Sequence, residues 1–542
     1  MWAAIEWRKA ITALILQWTS GTHPSITNEG CAWIADFGYT HCQPSTCELR
    51  RIGAILARVA CLFSIEYYDS LEHPLPGWDK IPFGLSVIAA CLEEAGHEVQ
   101  CWVLCPDSPL DTAIDEIVNG FRCDLVAASA VTTQFPLIAV ACAGIKSAKP
   151  SIPVLLGGVH ATICPQECIA HPAIDALCVG EGEDVAVAWA NSLSRGDRPT
   201  GIPGAWIKNP GTGEIERTPP APFRTDLDDL PLVNYAHWER WVDPDNRLLR
   251  VVVGRGCPYA CAYCSNHALR AVQAGPYVRF RSPDNILCEM EMLVRRFPDL
   301  WSINLEIETI GASVHWAIAL CDALAAFNAT RKRPIVFGAN LAVTTPLLQR
   351  EAQLLALLEA FKRANLLRLR VGLESGSPRI RKEILNRPPY SNDELVRFSE
   401  LAREHGIDLS LYIMIGVPTE TPEEAMGTSA VARALNPAEI DPAIYYPYPG
   451  TKLFEMSARM HLIDPRQIGY TAERSRVYLK LKNFPRWKVF LEYILMHWRV
   501  FHGRRNAIAI LRTMISRTLA CIPDLQIAVI RSVHNLQNRR AS

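Results

Sequence analysis

Polar and apolar positions along the chain fall into two long alternations. From Arg58 onward, short apolar runs at 59–65, 99–104, 125–130, 154–156 and 176–179 stand between stretches with apolar residues at helical spacing, such as 85–95, closed by Gly96, and 135–148, closed by Pro150. Short apolar runs flanked by helical patterns predict buried parallel strands joined by right-handed crossovers, and so a doubly wound α/β domain over 56–195. A second alternation sets strands at 249–253, 302–306, 335–339, 367–373, 408–415 and 439–445. These βα units predict a partial (β/α)6 TIM-like barrel over 246–455, with its chemistry on the loops that follow the strands. Between the two alternations, 196–245 is punctuated by Pro199, Gly201, Pro203, Gly204, Pro210, Gly211, Pro219, Pro220 and Pro222, which predicts a linker with a small hairpin over 205–216. From about Val477 the pattern is helical, so 456–542 is expected to be a helical C-terminal region. Within it 488–500 is apolar nearly all round, as suits a helix packed over the barrel. Residues 1–55 carry Trp2, Trp7, Trp18 and Trp33 without clear periodicity and are read as an N-terminal extension with no assigned role.

Composition narrows the class. The chain has 542 residues with 55 basic against 56 acidic side chains, enough length for several cores and no global field that would gather nucleic acid. Basic residues do concentrate after Val477, where 12 Lys or Arg face only Glu492 and Asp524. Peripheral contact with an anionic membrane is therefore open, but packing of this segment on the barrel is the favoured expectation. The longest uncharged stretch, 125–145, is broken by Ser129, Thr132, Thr133, Gln134 and Pro136, so no transmembrane helix is expected. There are 18 cysteines and no clear secretory signal, which points to a reduced, cytoplasmic protein rather than a disulfide scaffold. The informative question is whether any of them have ligand spacing.

Directly after the first strand of the second alternation comes Gly254-Arg255-Gly256-Cys257-Pro258-Tyr259-Ala260-Cys261-Ala262-Tyr263-Cys264, a C-x3-C-x2-C spacing on a loop. Three thiolates need a fourth ligand to close a tetrahedral zinc site, and His267 is the residue that could supply it. On a four-iron cluster, three thiolates instead leave one iron open to a substrate's amino and carboxylate groups. Gly254 and Gly256 would let the backbone wrap such a cluster closely. Cys101/Cys105 and Cys164/Cys168 share the first spacing but have Ser108 and His171 where a third thiol would stand, so both pairs are read as structural.

With the aromatic Tyr263 just before its third cysteine, this motif resembles the hallmark of the radical S-adenosylmethionine (SAM) enzymes. The resemblance implies that Cys257, Cys261 and Cys264 hold a [4Fe-4S] cluster that cleaves SAM, fed by an external one-electron reductant of flavodoxin or ferredoxin type, with Tyr263 close to the cofactor. Gly372-Leu373-Glu374-Ser375-Gly376-Ser377 ends the fourth barrel strand, and in this family that position lies near the ribose and amino end of SAM, which implicates Glu374 and Ser375. Ser375 or Ser377 is equally readable as a helix cap. Ile415-Gly416-Val417-Pro418-Thr419-Glu420 resembles the family's adenine-side segment, implicating Gly416, though it lacks the common second glycine. Pro447-Tyr448-Pro449-Gly450-Thr451 likewise looks like a recurring segment after strand six. Glu306 and Glu308 end the second strand, where the family often has acids near the SAM amino group. A solvated strand end accounts for them as well.

The first domain lacks G-x-G-x-x-G after its first strand and has instead a Pro-rich loop, Tyr67 to Gly77, leading to Pro82-Phe83-Gly84. Leu156-Gly157-Gly158-Val159-His160-Ala161-Thr162, Val179-Gly180-Glu181-Gly182-Glu183 and Ala95-Gly96-His97-Glu98-Val99 resemble the Rossmann-like cobalamin-binding domain of the B12-dependent radical SAM enzymes. The resemblance implies that Gly157, Gly158, His160, Gly180, Glu181 and Gly182 border cobalamin, with Ser129, Thr132 and Thr133 as hydroxyl partners for its nucleotide tail. The D-x-H-x-x-G arrangement is absent, so no histidine is expected to coordinate cobalt. The expected activity is methylation of an unactivated carbon of a small-molecule or lipid substrate. Ring formation, rearrangement or oxidation with the same cofactors stands as the alternative, and a non-catalytic iron–sulfur or cobalamin-binding protein as the second.

Overall fold

Five strands, β1 (Arg58–Ser64), β2 (Glu98–Leu104), β3 (Leu125–Ser129), β4 (Val154–Gly157) and β5 (Ala176–Cys178), pair in parallel in the order β2-β1-β3-β4-β5. The strand order reverses beside β1, which opens a crevice at the carboxyl edge of the sheet. This is a computed structural model, and it describes residues 57–520 apart from 67, 69, 247 and 465–472. The N-terminal extension, Tyr67 of the early loop and Arg539-Arg540 thus lie outside the described residues. Helices α1 (Phe83–Glu94) and α3 (Glu183–Ser194) cover one face of the sheet, and α2 (Phe135–Ala148) covers the other. Because both faces are covered, the strands are apolar throughout rather than alternating.

The hairpin expected in the linker is present as β6 (Ala205–Lys208) and β7 (Ile215–Arg217), but it belongs to the first sheet, extending it antiparallel from β5. It covers an edge that would otherwise expose unpaired backbone groups. The rest of 196–245 is no loose tether. Tyr235 and Trp238 are buried, and Trp78 meets Tyr235 and Phe297 at 6.0 and 4.9 Å, so one apolar cluster runs from the α1/α3 face into the second domain.

The second domain opens with β8 (Leu248–Val252), followed by a short antiparallel ribbon of β9 (Gly254–Arg255) and β10 (Arg279–Phe280). Then come β11 (Ser302–Glu306), β12 (Val336–Leu341), β13 (Leu366–Glu374), β14 (Asp408–Ile415) and β15 (Glu439–Ile444). Strands β8 and β11 to β15 pair in parallel in chain order, the six-stranded partial barrel. Leu249, Val251, Ile303, Leu305, Leu369, Val371 and Leu411 are fully buried and join the core beneath helices α4 (Pro283–Arg296), α5 (Val314–Ala329), α6 (Glu351–Arg363), α7 (Asn392–Glu404) and α8 (Pro422–Ala434). The alternate positions, among them Arg250, Asn304, Asn340, Arg370 and Tyr412, are polar and lie on the opposite face. Helix starts are fixed locally. Ser391 with Glu394, and Thr421 with Glu424, form capping boxes at α7 and α8.

Two expectations for the C-terminal region are corrected. A short helix, Lys452–Arg459, overlaps the start of the region, and beyond it the next helix begins not at about Val477 but at Arg486, after Pro485, in α9 (Arg486–Phe501) and α10 (Ala507–Ala520), while the carbonyl of Arg474 accepts the amide of Ile444 beside β15. Nor is α9 buried all round. Val489, Tyr493, Met496 and Val500 pack inward, whereas Trp487, Leu491 and Trp498 are exposed, as the helical period divides the faces. Among the described residues, no helix is long and apolar enough to cross a membrane.

Candidate active site

The three cysteines of the C-x3-C-x2-C motif sit on the loop that leaves the β9/β10 ribbon. Gly256 turns the chain there with φ +92°, and a Cβ would fall 2.1 Å from the carbonyl oxygen of Tyr277, so only glycine fits. The loop is tied down from the far side of the barrel. The amide of Ala262 donates to Leu385 O and that of Leu453 to Ala262 O, both at 2.8 Å. Asn386 Nδ2 donates to Ala260 O at 2.8 Å.

Cys257, Cys261 and Cys264 are electrostatic neighbours, with Cys261 buried and the other two partly so. Burial pushes the Cys257 thiol up to about 11, opposed by the amide of Tyr259. Binding of iron at these thiols would therefore have to displace protons. His267 Nε2 accepts the amide of Lys452 at 3.3 Å, so a zinc ion at these thiols would have to take its Nδ1 as fourth ligand. Among the described residues, no three His, Cys, Asp or Glu side chains converge closely enough to hold a single metal ion.

Polar donors reach two of the sulfurs. Asn266 Nδ2 lies 3.3 Å from Cys264 Sγ, and the Tyr277 hydroxyl donates to Asn266 Oδ1 at 2.5 Å. Arg387 Nη1 lies 3.6 Å from Cys261 Sγ and 3.2 Å from the Tyr263 hydroxyl, while its Nη2 donates to Gly372 O at 3.0 Å. Neither Asn266 nor Arg387 was singled out by sequence. Asn266 stands two residues after Cys264, a local signal in hindsight, but Arg387 is 126 residues from Cys261 and leaves none.

The expected SAM-side residues are spread around this loop. The Tyr263 hydroxyl donates to Glu374 Oε1 at 2.8 Å, and Arg387 stands 3.7 Å from the same oxygen, so Tyr263, Glu374 and Arg387 form one buried triad. Ser375 is fully buried and its hydroxyl accepts the amide of Ser377 in a local turn, while the helix-cap role falls to Ser377, whose hydroxyl accepts the amide of Ile380 at 3.3 Å. Gly416, with φ +74°, donates its amide to buried Glu420 at 2.5 Å, and a Cβ there would press on Val489 of α9 at 2.9 Å. Glu306 pairs with Arg250 at 3.3 Å and accepts from Asn304 at 3.0 Å.

In the first domain, a cavity of about 220 Å³ opens at the carboxyl edge of the sheet, lined by Ser129, Gly157, Gly158, Gly180, Glu181 and Gly182, with Phe83, Gly84, Val87 and Ile88 of α1. Small residues shape it. A Cβ on Gly84 would meet nothing within 4 Å and would project into free space, whereas one on Gly158, at φ +92°, would fall 2.7 Å from Ala130 O. The wall from α1 was missed by sequence, although Pro82-Phe83-Gly84 marks where it begins.

His160, Thr132 and Thr133 do not line the cavity. His160 is fully buried against Phe135, ring centres 4.9 Å apart, and burial lowers its pKa so that it is neutral. Thr133 donates to Glu473 at 3.2 Å.

Glu181 is committed to an ion-pair brace between the two domains. Its carboxylate receives both Nη atoms of Arg279, at 2.8 and 2.9 Å, and Nη1 of Arg255 at 3.0 Å, and Arg255 Nη2 reaches Glu183 at 2.6 Å. The two guanidiniums hold the Glu181 carboxyl below its usual range against the opposing effect of burial. Arg255 therefore lines the first domain's cavity and also stands two residues before Cys257.

Residues 77–190 match the B12 binding domain family, and residues 251–430 match the radical SAM superfamily. The chain is 26% identical over 393 residues to an anaerobic magnesium-protoporphyrin IX monomethyl ester cyclase of Rubrivivax gelatinosus, covering 71% of this chain and 67% of that protein. It is 25% identical over 407 residues to an uncharacterised methyltransferase of Pyrococcus horikoshii, covering 70% of this chain and 79% of that one. Among solved structures, the cobalamin-dependent S-adenosylmethionine radical enzyme OxsB aligns with TM-score 0.62 at 14% identity over 89% of this chain and 75% of its own. The radical S-adenosylmethionine methyltransferase TsrM of Kitasatospora setae aligns with TM-score 0.58 at 18% identity over 75% of this chain and 77% of its own. At these identities the structural likeness speaks for the fold.

Proposed function

The chain belongs to the cobalamin-dependent radical SAM enzymes, with a B12-binding domain ahead of a radical SAM domain, and we propose that its reaction is methylation of an unactivated carbon in a small-molecule or lipid substrate. Its cofactors are a [4Fe-4S] cluster, SAM and cobalamin. When bound, the cluster and SAM supply a carbon radical through one-electron cleavage of a carbon–sulfur bond, and cobalamin carries the methyl group.

The observation that carries this reading is Arg255, which belongs at once to the loop of the three thiols and to the wall of the glycine-lined cavity. Radical formation and methyl donation need neighbouring cofactors, and this residue joins their two candidate sites. Cys257, Cys261 and Cys264 are the cluster ligands in this reading. The cavity, at about 220 Å³, is below the roughly 300–1,000 Å³ of ordinary ligand pockets, so its lining residues would hold only part of a cobalamin. Gly84, Gly157 and Gly158 keep it open, and Ser129 offers a hydroxyl at its wall. Thr132, Thr133 and His160 support the turns around it.

An external flavodoxin- or ferredoxin-like protein supplies the electron, and the enzyme works in the cytoplasm, a location supported by the free thiols of the described cysteines. Incubating the anaerobically reconstituted enzyme with methyl-labelled SAM and candidate substrates tests the reaction. A product heavier by one labelled methylene unit is expected, and a Cys261→Ala variant should give neither product nor the cluster's visible absorption. Loss of two hydrogens with no added carbon would favour the second reading, oxidative ring formation, which the cyclase relative recommends. Protein that makes 5′-deoxyadenosine yet never takes up cobalamin would overturn both.

A further inference from the structure

The thiol loop is approached by two side-chain N–H donors whose other bonds hold them in place. Asn266 Nδ2 is directed at Cys264 Sγ, at 3.3 Å, because the Tyr277 hydroxyl holds the amide oxygen at the opposite end. Arg387 Nη1 is directed at Cys261 Sγ, at 3.6 Å. Its Nη2 is fixed by Gly372 O, and its fully buried Nε finds no hydrogen-bond partner among the described residues. Its side chain is only 8% exposed, and the nearest carboxylate, Glu374, stands 3.7 Å away. A buried guanidinium with one nitrogen unpartnered is costly to hold unless a negative group nearby compensates it. The nearest candidates are Glu374 and the Cys261 sulfur.

We propose that Arg387 and Asn266 are positioning residues that set the reduction potential of the iron–sulfur cluster, by donating to the sulfurs of Cys261 and Cys264. This rests on the reading that the three thiols hold a [4Fe-4S] cluster. Reduction by one electron from the external reductant adds one negative charge, part of which falls on the thiolate sulfurs. A donor to those sulfurs stabilises the reduced state more than the oxidised one and raises the potential. The two donors differ in strength. Arg387 brings a full charge in a buried setting, where Coulomb interactions are strong, and Asn266 brings a neutral dipole. Glu374 acts in the opposite sense, since its carboxylate offsets part of the Arg387 charge.

The test is an EPR-monitored redox titration of the reconstituted holoenzyme and of its variants. Arg387→Met is expected to shift the reduction equilibrium at least tenfold toward the oxidised cluster, about 59 mV lower for a one-electron couple. Asn266→Leu should shift it the same way by a few-fold. Tyr277→Phe, which frees the Asn266 amide to rotate, should shift it less than Asn266→Leu does. Glu374→Gln should move it upward. The opposite signs of Arg387→Met and Glu374→Gln are an outcome that general loosening of the loop would not produce.

If Arg387→Met fails to take up a cluster, the Asn266, Tyr277 and Glu374 variants still decide the matter. Midpoints for Asn266→Leu and Glu374→Gln indistinguishable from wild type would overturn the proposal. So would an Arg387→Met enzyme whose SAM affinity falls while its midpoint stays put. Wild-type protein that shows no cluster signal at all would point instead to failure of the cluster reading itself.

Discussion

Glu420 is the least comfortable carboxyl in the barrel. It is fully buried, accepts the amides of Gly416 and Val417, and has no hydrogen-bond partner on its second oxygen among the described residues. Burial raises its pKa to about 8, with the two amides pulling the other way. The fold therefore prefers the neutral acid. Its contribution to stability is whole below the ordinary value of 4.5 and is lost as pH climbs through about 8. Glu420→Gln keeps an oxygen for both amides and removes the titration. Thermal unfolding should then find the variant equal to wild type at pH 5 and more stable at pH 8.5, by about 1 °C for each kcal/mol recovered. A pH-independent difference would mean that the carboxyl is not the titrating group.

Among the elements, α1 and the turn after β4 meet at the same cavity and make opposite demands on their glycines. Gly158 has φ +92° and a backbone oxygen where its Cβ would go, so Gly158→Ala should cost about 1–3 kcal/mol and lower cobalamin uptake with it. Gly84 is helical with open space before it. Gly84→Leu should leave stability equal or up to about 1 kcal/mol higher, because glycine is a poor helix former, while uptake falls at least tenfold. Denaturant unfolding and the visible spectrum of bound cobalamin separate the two effects. A Gly84→Leu protein that loads normally would remove the cavity from the cofactor's path.

What sequence revealed follows the same division. Strands of the first alternation are legible because burial on two faces imposes unbroken apolar runs, those of the second because one buried face sets an every-other-residue apolar pattern, and the strands at 302–306 and 408–415 begin and end where expected. The place of β6 and β7 was not, since short strands show no preference for the sheet they will join. The exposure of Leu491 and Trp498 in α9 does not show in the pattern, because a helix rich in apolar residues does not reveal which of them lack a neighbour. The thiols were readable from spacing alone. Arg387 was not, because only the return of β13 and its following turn brings it to Cys261. Glu181 and Tyr263, both expected beside cofactors, have their polar atoms engaged in charge pairing and in the triad with Glu374 and Arg387.

At the scale of the molecule, the brace of Glu181, Glu183, Arg255 and Arg279 is the main polar link between the candidate sites. Arg279 has only 4% of its side chain exposed, so Glu181→Ala would strand a buried charge and should cost about 3 kcal/mol. The Arg255→Ala change should cost less, because its partner Glu181 keeps Arg279. In a double-mutant cycle the two losses should fail to add, whereas additivity would show that Glu181 and Arg255 act independently.

The brace also has a chronology. Glu181 and Arg279 are 98 residues apart, and at about 5–20 residues per second the ribosome delivers the second roughly 5–20 seconds after the first. The first sheet is complete in that interval except for its guanidinium partners, and the thiol loop emerges between Glu181 and Arg279. Arg255 therefore leaves the ribosome before the cysteines and Arg279 after them, so the loop carries one of its two links to the first domain as it emerges and gains the other only once its thiols are made.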